Sequence, residues 1–241
     1  ENPPAVPNGG APVKLVSYDS RQVVPGTLFI CKGAHFKEEF LQSAKEQGAF
    51  VYLSEKRYDQ VDLPCIQVSD VRLAMALLAD FYYNHPSAKL GVVGITGTKG
   101  KTTTSYLIKA ILEQAGCKCG LIGTTGNMIG STFIHGSMTT PEADELQGLL
   151  RHMADQQVQA VVMEVSAHAT AMHRVDGILY DVGCYTNLSQ DHLDYFGTMD
   201  KYFEAKKVFF TPRYTRAAAL NVDDESTRKI LADIQIPYTC Y

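Results

Sequence analysis

Two kinds of hydrophobic patterning divide the chain. Before about residue 88, short apolar runs alternate with amphipathic segments. Leu28-Phe29-Ile30-Cys31 follows the turn Pro25-Gly26 and reads as a strand. Residues 38–47 read as a helix that Gly48 stops, and Phe50-Val51-Tyr52-Leu53 as the next strand. Asp70 is placed to cap a helix running to about Tyr83, with Leu73, Leu77, Leu78 and Phe81 on one face. Asn84-His85-Pro86-Ser87 ends that helix and is the candidate linker. From Lys89 onward the apolar runs lack polar alternation: residues 91–95, 119–122, 160–165, 182–185 and 217–220. Helical patterns near 101–115, 141–156, 199–210 and 225–234 lie between or after them. Strands of that kind are buried on both faces, which predicts a parallel sheet covered by helices.

The expected fold class is therefore α/β. A small N-terminal α/β domain, 13–88, precedes a mostly parallel-sheet, phosphate-loop-type domain, 89–241. Residues 1–12, with their prolines and glycines, are expected to form a flexible tail. The chain opens without methionine and stops inside a strand-like run, so the second domain is expected to be incomplete and the chain a fragment.

Composition narrows the partners. A net charge of -4 gives no electrostatic reason to expect nucleic acid or an anionic membrane. No apolar run approaches the length of a membrane span. Cysteines stand at 31, 65, 117, 119, 184 and 240, and Cys117-Lys118-Cys119 is too close for a zinc CxxC. They read as buried small hydrophobes in a reducing, cytoplasmic compartment.

The strongest chemical signal is Gly94-Ile95-Thr96-Gly97-Thr98-Lys99-Gly100-Lys101-Thr102-Thr103. It follows an apolar strand and opens a helix whose inner face is expected to be Leu107, Ile108, Ile111, Leu112 and Ala115. Glycines let the backbone approach phosphates, and a helix N-terminus offers free N–H groups and positive dipole. Lys101 would reach the terminal phosphates of ATP and Thr102 would ligate Mg²⁺. The strict motif spacing fails, since its first glycine would fall at Ile95. Glu164 ends the run Ala160-Val161-Val162-Met163, where a carboxylate either binds the metal bridging ATP phosphates or caps and pairs at the surface. His192 holds the corresponding place after the strand ending at Tyr185, where a lone histidine is more often structural than a ligand.

Lys206 is the least expected residue. Tyr202, Phe203, Phe209 and Phe210 fall within about 60° of it on a helix, whereas Lys207 falls outside that arc and reads as solvated. An ammonium there must snorkel, find a partner, be held neutral or be modified.

Together these residues resemble the Mur ligase family, ATP-dependent amino-acid ligases of bacterial peptidoglycan synthesis. The matching pieces are Asp19-Ser20-Arg21, Val24-Pro25-Gly26, Leu28-Phe29, then Gly97 to Thr103, then Thr139-Thr140-Pro141-Glu142. Met163-Glu164-Val165-Ser166-Ala167-His168, His173-Arg174-Val175, the run from Thr186 to Tyr195, and Tyr202 to Lys206 complete the set. The Glu-Val-Ser-x-His and Asp-His-Leu-Asp-Tyr runs favour the member that adds the third amino acid over the one that adds the terminal dipeptide. The resemblance implies a uridine-diphosphate contact at Ser20 and muramyl-peptide contacts at Thr139, Thr140, Ser166 and Arg174. It implies magnesium ligands at Thr102, Glu164 and His192, and a carbamate on Lys206 that turns the buried ammonium into a further metal-binding carboxylate. Departures are Ala167 and Gln190, where many relatives have serine and arginine, and Gly33-Ala34-His35-Phe36-Lys37 matches the family's uridine loop only loosely.

The implied substrates are ATP, a UDP-N-acetylmuramoyl-peptide and an amino acid, joined through an acyl phosphate by a monomeric cytoplasmic enzyme. A folylpolyglutamate synthetase-like ligase shares the phosphate loop, but the Asp-Ser-Arg first domain argues against it. A non-catalytic nucleotide-binding fragment is the other alternative, and this chain alone is expected not to ligate.

Overall fold

The computed structural model describes residues 12–33, 36–136 and 138–241. The expected tail, apart from Pro12, and the Ala34-His35 part of the loosely matching uridine loop lie outside the described residues. The chain forms two compact units that divide between Tyr82 and Tyr83. This is a little earlier than the expected boundary. Pro86–Lys89 form a 3-10 turn, with Pro86 and Ser87 buried, that packs on a helix of the second unit.

The first unit contains β1 (Leu15–Ser17), β2 (Thr27–Ile30), α1 (Glu38–Glu46), β3 (Ala49–Ser54), β4 (Cys65–Gln67) and α2 (Val71–Tyr82). Its strands are all parallel, in the order β1-β2-β3-β4. Phe29 and Tyr52 from the two central strands meet Leu41 and Ala44 of α1 in one core. Asp70 caps α2 as expected, its Oδ1 accepting from the N–H groups of Arg72 and Leu73 at 2.9 Å each. The buried face of α2 is not the expected one. Val71, Met75, Ala76 and Ala79 are buried, while Leu77 and Phe81 are 52% and 72% exposed. The helix is apolar almost all round, and its alanines allow the closer approach that periodicity alone does not reveal.

The second unit begins with β5 (Gly91–Thr96), α3 (Lys101–Gln114), β6 (Cys119–Gly123), β7 (Gly126–Ile129) and β8 (Thr132–Ile134). It continues with α4 (Ala143–Asp155), β9 (Ala160–Glu164), α5 (Ala167–Ala171), β10 (Tyr180–Tyr185) and α6 (Leu193–Phe196). It ends with α7 (Met199–Lys207), β11 (Thr215–Leu220), α8 (Thr227–Leu231) and β12 (Tyr238–Cys240). The sheet order is β12-β11-β10-β5-β9-β6-β7-β8, parallel except for the antiparallel pairs β6–β7 and β7–β8. From β5 the chain runs outward to β6 and back through β9 on one side, then to β10 on the other. The carboxyl ends of β5, β9 and β10 therefore adjoin where the winding reverses, the usual ligand crevice of an open α/β sheet.

Side chains along β9 alternate between the sheet's two faces. Val161 and Met163 join Leu146, Leu150 and Met153 of α4 in the main core, and Val162 joins Ile95 and Cys184 under Ile108 and Leu112 of α3. Only those two of the five expected inner residues of α3 pack on the sheet. Ala115 is exposed, as are Leu107 and Ile111, while Ser105 and Lys109 are buried. The buried stripe is thus rotated from the one predicted, because small Ser105 and the ion-paired Lys109 fit the close helix–sheet contact. All six cysteines are free; Cys31, Cys119 and Cys184 are buried and Cys240 is exposed. No helix among the described residues is long and apolar enough to cross a membrane.

The helix expected over 199–210 breaks after Lys207 into a 3-10 turn, Val208–Phe210. Phe209 is the anchor of that turn. It lies over Gly94 of β5 and its ladder partner Gly183 of β10. A Cβ at Gly94 would lie 2.6 Å from the Phe209 ring and 2.7 Å from Tyr180, whereas one at Gly91 meets nothing nearer than 3.5 Å. Gly94→Ala should therefore lower stability by about 1–3 kcal/mol through overpacking. Gly91→Ala should be close to neutral, as thermal or urea unfolding of the two variants can show.

Candidate active site

The loop between β5 and α3 is shaped by two glycines and held by the segment that follows β10. Gly97 has φ +146, and a Cβ there would stand 1.9 Å from Thr186 Oγ1. Gly100 has φ +85 and forms the N-cap of α3 without a side-chain cap. First-turn N–H groups of a helix lack intrahelical partners, so this end is open to an anion. Thr98 N–H donates to Asn187 O at 2.9 Å, and Lys99 N–H to Asn187 Oδ1 at 3.0 Å. Lys99 O accepts from Thr186 Oγ1 at 2.7 Å and from Asn187 Nδ2 at 3.1 Å. Thr98 Oγ1 also accepts from Ser189 N–H at 3.0 Å. Thr186 and Asn187 are thus clamps, a role that sequence reasoning did not assign although both open its Thr186 to Tyr195 run. Their partners are some 90 residues away in the chain, beyond the reach of any local pattern.

Lys101 turns back on this loop, its Nζ donating to Gly97 O at 2.9 Å and Thr98 O at 3.0 Å. Burial lowers its pKa, opposed by the charges of Glu164 and Asp191. Thr102 faces the neighbouring strand end, where its hydroxyl donates to Glu164 Oε1 at 2.9 Å. The juxtaposition follows from register, since Ile95 on β5 pairs with Glu164 on β9. Glu164 is 1% exposed and accepts further bonds from the N–H and hydroxyl of Thr124. Thr103 is exposed on the outer side of α3.

The main-chain oxygen of Glu164 accepts from Thr140 Oγ1 at 2.9 Å, and Thr140 Oγ1 accepts in turn from Ser166 N–H at 3.1 Å. Ser166 caps α5. Arg174 donates from Nη1 to Thr140 O and pairs through Nη2 with Glu142, both at 3.0 Å. Its buried Nε has no hydrogen-bond partner among the described residues. Thr139 Oγ1 lies 2.9 Å from Thr124 Oγ1. Thr139, Thr140, Ser166 and Arg174 are thus gathered beside the Glu164 strand end. Ser20 belongs to the first unit. It opens a 3-10 turn capped by Asp19 and lines a cavity of about 680 Å³ with Tyr18, Lys32, Phe36, Phe40 and Arg72.

Lys206 is 1% exposed, and its Nζ donates to Gly97 O at 2.9 Å while sitting 4.5 Å from the Tyr202 ring centre. Burial, reinforced by the Lys101 charge, brings its pKa down to about 7. Lys207 pairs with Asp233. His192 is half exposed, in left-handed backbone at the start of α6, with its ring edge-on to His168 at 4.7 Å and to Tyr202 at 5.9 Å. No hydrogen bond or ion pair joins His192 to Glu164 or Thr102 among the described residues. Nor does any group of three His, Cys, Asp or Glu side chains there stand ready to hold a metal. What the structure assembles is a hard-oxygen pair, Thr102 and Glu164, next to an anion-ready loop. Such a pair fits Mg²⁺ shared with phosphate oxygens.

Comparison with known proteins gives this geometry a context. The family model described as the Mur ligase middle domain matches residues 95–239. The UDP-N-acetylmuramoyl-L-alanyl-D-glutamate–2,6-diaminopimelate ligase of Geobacillus thermodenitrificans is 44% identical, covering 91% of this chain and 47% of that protein. The ligase of the same name from Clostridium botulinum is 40% identical over 91% of this chain and 46% of its own length. A solved structure of a ligase so named superposes with a TM-score of 0.86 at 31% identity, over 95% of this chain and 48% of the other. The chain spans about half the length of the curated relatives it matches.

The buried Lys206 has a measurable consequence for stability. Its pKa is about 7 when folded and 10.5 ordinarily, so between these values the unfolded chain binds more protons. Stability should rise with pH across that window, and the loss on acidification should be complete once the pH has fallen to about 7. In chelator and without dissolved carbon dioxide, Lys206→Met should be more stable than the parent at pH 6, by about 1–4 kcal/mol. The gap should close towards pH 10, as denaturant titrations at several pH values can measure.

Proposed function

The chain belongs to the Mur ligase family, and from that premise we propose that it carries two functional parts of a ligase of peptidoglycan synthesis. These are the nucleotide-sugar-binding part and most of the ATP site of the enzyme that adds the third amino acid to UDP-N-acetylmuramoyl-dipeptide. 2,6-Diaminopimelate, named in the relatives, is the amino acid to try first. The observation that carries this reading is the 2.9 Å contact of Thr102 with Glu164, beside the Gly97 to Thr103 loop and the Thr140–Ser166–Arg174 group.

In this reading Gly97, Thr98, Lys99, Gly100, Lys101, Thr102 and Thr103 hold the ATP phosphates, and Thr102 and Glu164 hold Mg²⁺. His192 and a carbamate on Lys206 are its further ligands. Bound there, Mg²⁺ would offset the charge of the transferring phosphoryl group. Lys101 leaves its two loop carbonyls to meet the terminal phosphates. The dipeptide carboxylate, steadied by Thr139, Thr140, Ser166 and Arg174, attacks the γ-phosphorus. The bond from that phosphorus to the bridging oxygen breaks, and ADP departs. The incoming amine then attacks the acyl carbon, loses a proton and expels phosphate, leaving the amide. The orphaned Arg174 Nε supports a substrate role, since a buried guanidinium donor without a partner is costly until a ligand oxygen accepts from it. Ser20 and its cavity suit the uridine diphosphate, with Lys32 and Arg72 as cations for the diphosphate. The nucleotide-linked substrates suit the cytoplasm.

Carbamylation of Lys206 requires the neutral amine, which burial already favours. The product would bring an oxygen pair to a site where Thr102 and Glu164 already offer oxygens.

In the intact ligase, Lys101→Ala should abolish ATP-dependent joining of UDP-N-acetylmuramoyl-dipeptide to diaminopimelate while leaving the fold intact, as circular dichroism can check. Undiminished turnover would overturn the phosphate-loop assignment. Lys206→Ala should lose activity that small carboxylic acids partly restore. Full activity without them would return Lys206 to a purely structural role.

A further inference from the structure

Between β6 and β7 the chain reverses in two residues, Thr124 and Thr125, flanked by Gly123 and Gly126, which pair across the ladder. Both glycines are needed for space. A Cβ at Gly123 would lie 2.4 Å from Glu164 Oε1, and one at Gly126, which also has φ +114, 2.4 Å from the Phe133 ring. Tyr106 of α3 steadies the turn from the other side, its hydroxyl 2.9 Å from Thr125 Oγ1. The turn is therefore fixed in place and seated directly on the Glu164 carboxylate.

Thr124 makes two kinds of contact there. Its main-chain N–H donates to Glu164 Oε1 at 2.9 Å. Its hydroxyl lies 3.1 Å from Glu164 Oε2 and 2.9 Å from Thr139 Oγ1. A hydroxyl has one proton, and an ionised carboxylate can only accept. Thr124 therefore donates to Glu164, and the Thr139 hydroxyl must donate to Thr124. The result is a directed chain, Thr139 to Thr124 to Glu164, with Thr102 donating to the same carboxylate from the other side. Thr139 is left with its lone pairs free to accept from a substrate amide. Thr102 likewise presents lone pairs to a cation.

We propose that Thr124 is a positioning residue that couples the metal–phosphate end of the site to the acceptor end. It orients the Glu164 carboxylate towards the cation and sets which way the Thr139 hydroxyl faces. The naming of the two ends rests on the ligase reading, but the coupling through Glu164 rests on the geometry alone. Outer partners of a metal-binding carboxylate act on metal affinity, typically about 10- to 100-fold when removed.

The test measures ADP binding by calorimetry in Mg²⁺ and in chelator, for the parent chain, Thr124→Val, Thr124→Ala and Thr124→Ser. Thr124→Val keeps the branched shape and Thr124→Ala adds no bulk, so a packing fault in one is exposed by the other. Both should lose about 10- to 100-fold of the affinity that Mg²⁺ adds, with affinity in chelator unchanged, and Thr124→Ser should restore it. In the turning-over enzyme, Thr124→Val should raise both the Mg²⁺ concentration for half-activity and the KM of the nucleotide-linked dipeptide. An intact Mg²⁺ increment in Thr124→Val and Thr124→Ala overturns the proposal. So does a Thr124→Ser variant as weak as Thr124→Val, or an equal loss of affinity with and without metal. Because the binding readout needs no amide formation, expected increments together with an intact full-length protein that did not ligate would overturn the ligase reading and leave this coupling standing.

Discussion

Two ammonium groups converge on one carbonyl oxygen, that of Gly97, and most of the site can be understood from that crowding. Lys101 Nζ and Lys206 Nζ each lie 2.9 Å from it, so they are at most about 5.8 Å apart. Two full charges at that separation repel by roughly 3 kcal/mol in an effective dielectric of about 20. Burial, with the Lys101 charge added, brings the pKa of Lys206 down to about 7; burial also lowers that of Lys101, opposed by the charges of Glu164 and Asp191. The loop is thus held in a state of excess positive charge. An arriving polyphosphate relieves it, and so would conversion of Lys206 to an anion.

The crowding is maintained by packing rather than by the loop itself. Lys206 reaches Gly97 because α7 ends in a 3-10 turn whose Phe209 sinks over the adjacent glycines of β5 and β10. Gly97 is reachable because Thr186 occupies the place a Cβ would need. A second buried anchor holds the acceptor side. Asp176, 1% exposed, accepts from Tyr214 at 2.9 Å and pairs with Arg213 and with His173. His173 stands beside Arg174 in left-handed backbone with φ 57. The carboxylate's partners on either side tie that strained turn to the segment before β11, and so fix where the Arg174 side chain starts.

How far all this could be read from the sequence depends on the range of the interaction. The glycine-rich loop between an apolar strand and a helix was legible, and so was Glu164 at a strand end, because each is a local pattern set by backbone geometry. The parallel sheet was legible from strands without polar alternation. Which side of α2 and α3 faces inward was not, since both helices carry apolar residues on more than one side and close approach favoured Ala76, Ala79 and Ser105 over larger side chains. The hairpin β7–β8 was missed because its strands are short and Phe133 is exposed, which weakens the alternation. The clamping role of Thr186 and Asn187 and the turn residue Thr124 were missed for a different reason. Threonines and asparagines are common in loops, and only the folded register brings them to Lys99 and Glu164.

Register also explains why Glu164 can serve two ends of one site. A residue at the last position of a strand has its side chain committed to one face, while its carbonyl continues the line of the ladder. At Glu164 the carboxylate meets Thr102 and Thr124, and the carbonyl accepts from Thr140. A shift of β9 by one residue against β5 would turn the carboxylate to the other face and break both sets at once. That shift is opposed by the cores on both sides of the strand, since Val161 and Met163 fill one and Val162 the other. The chemistry at the strand end is therefore secured by apolar residues that never touch it. Substitutions along β9 should thus disturb the Thr102 and Thr124 contacts and the Thr140 contact together rather than separately.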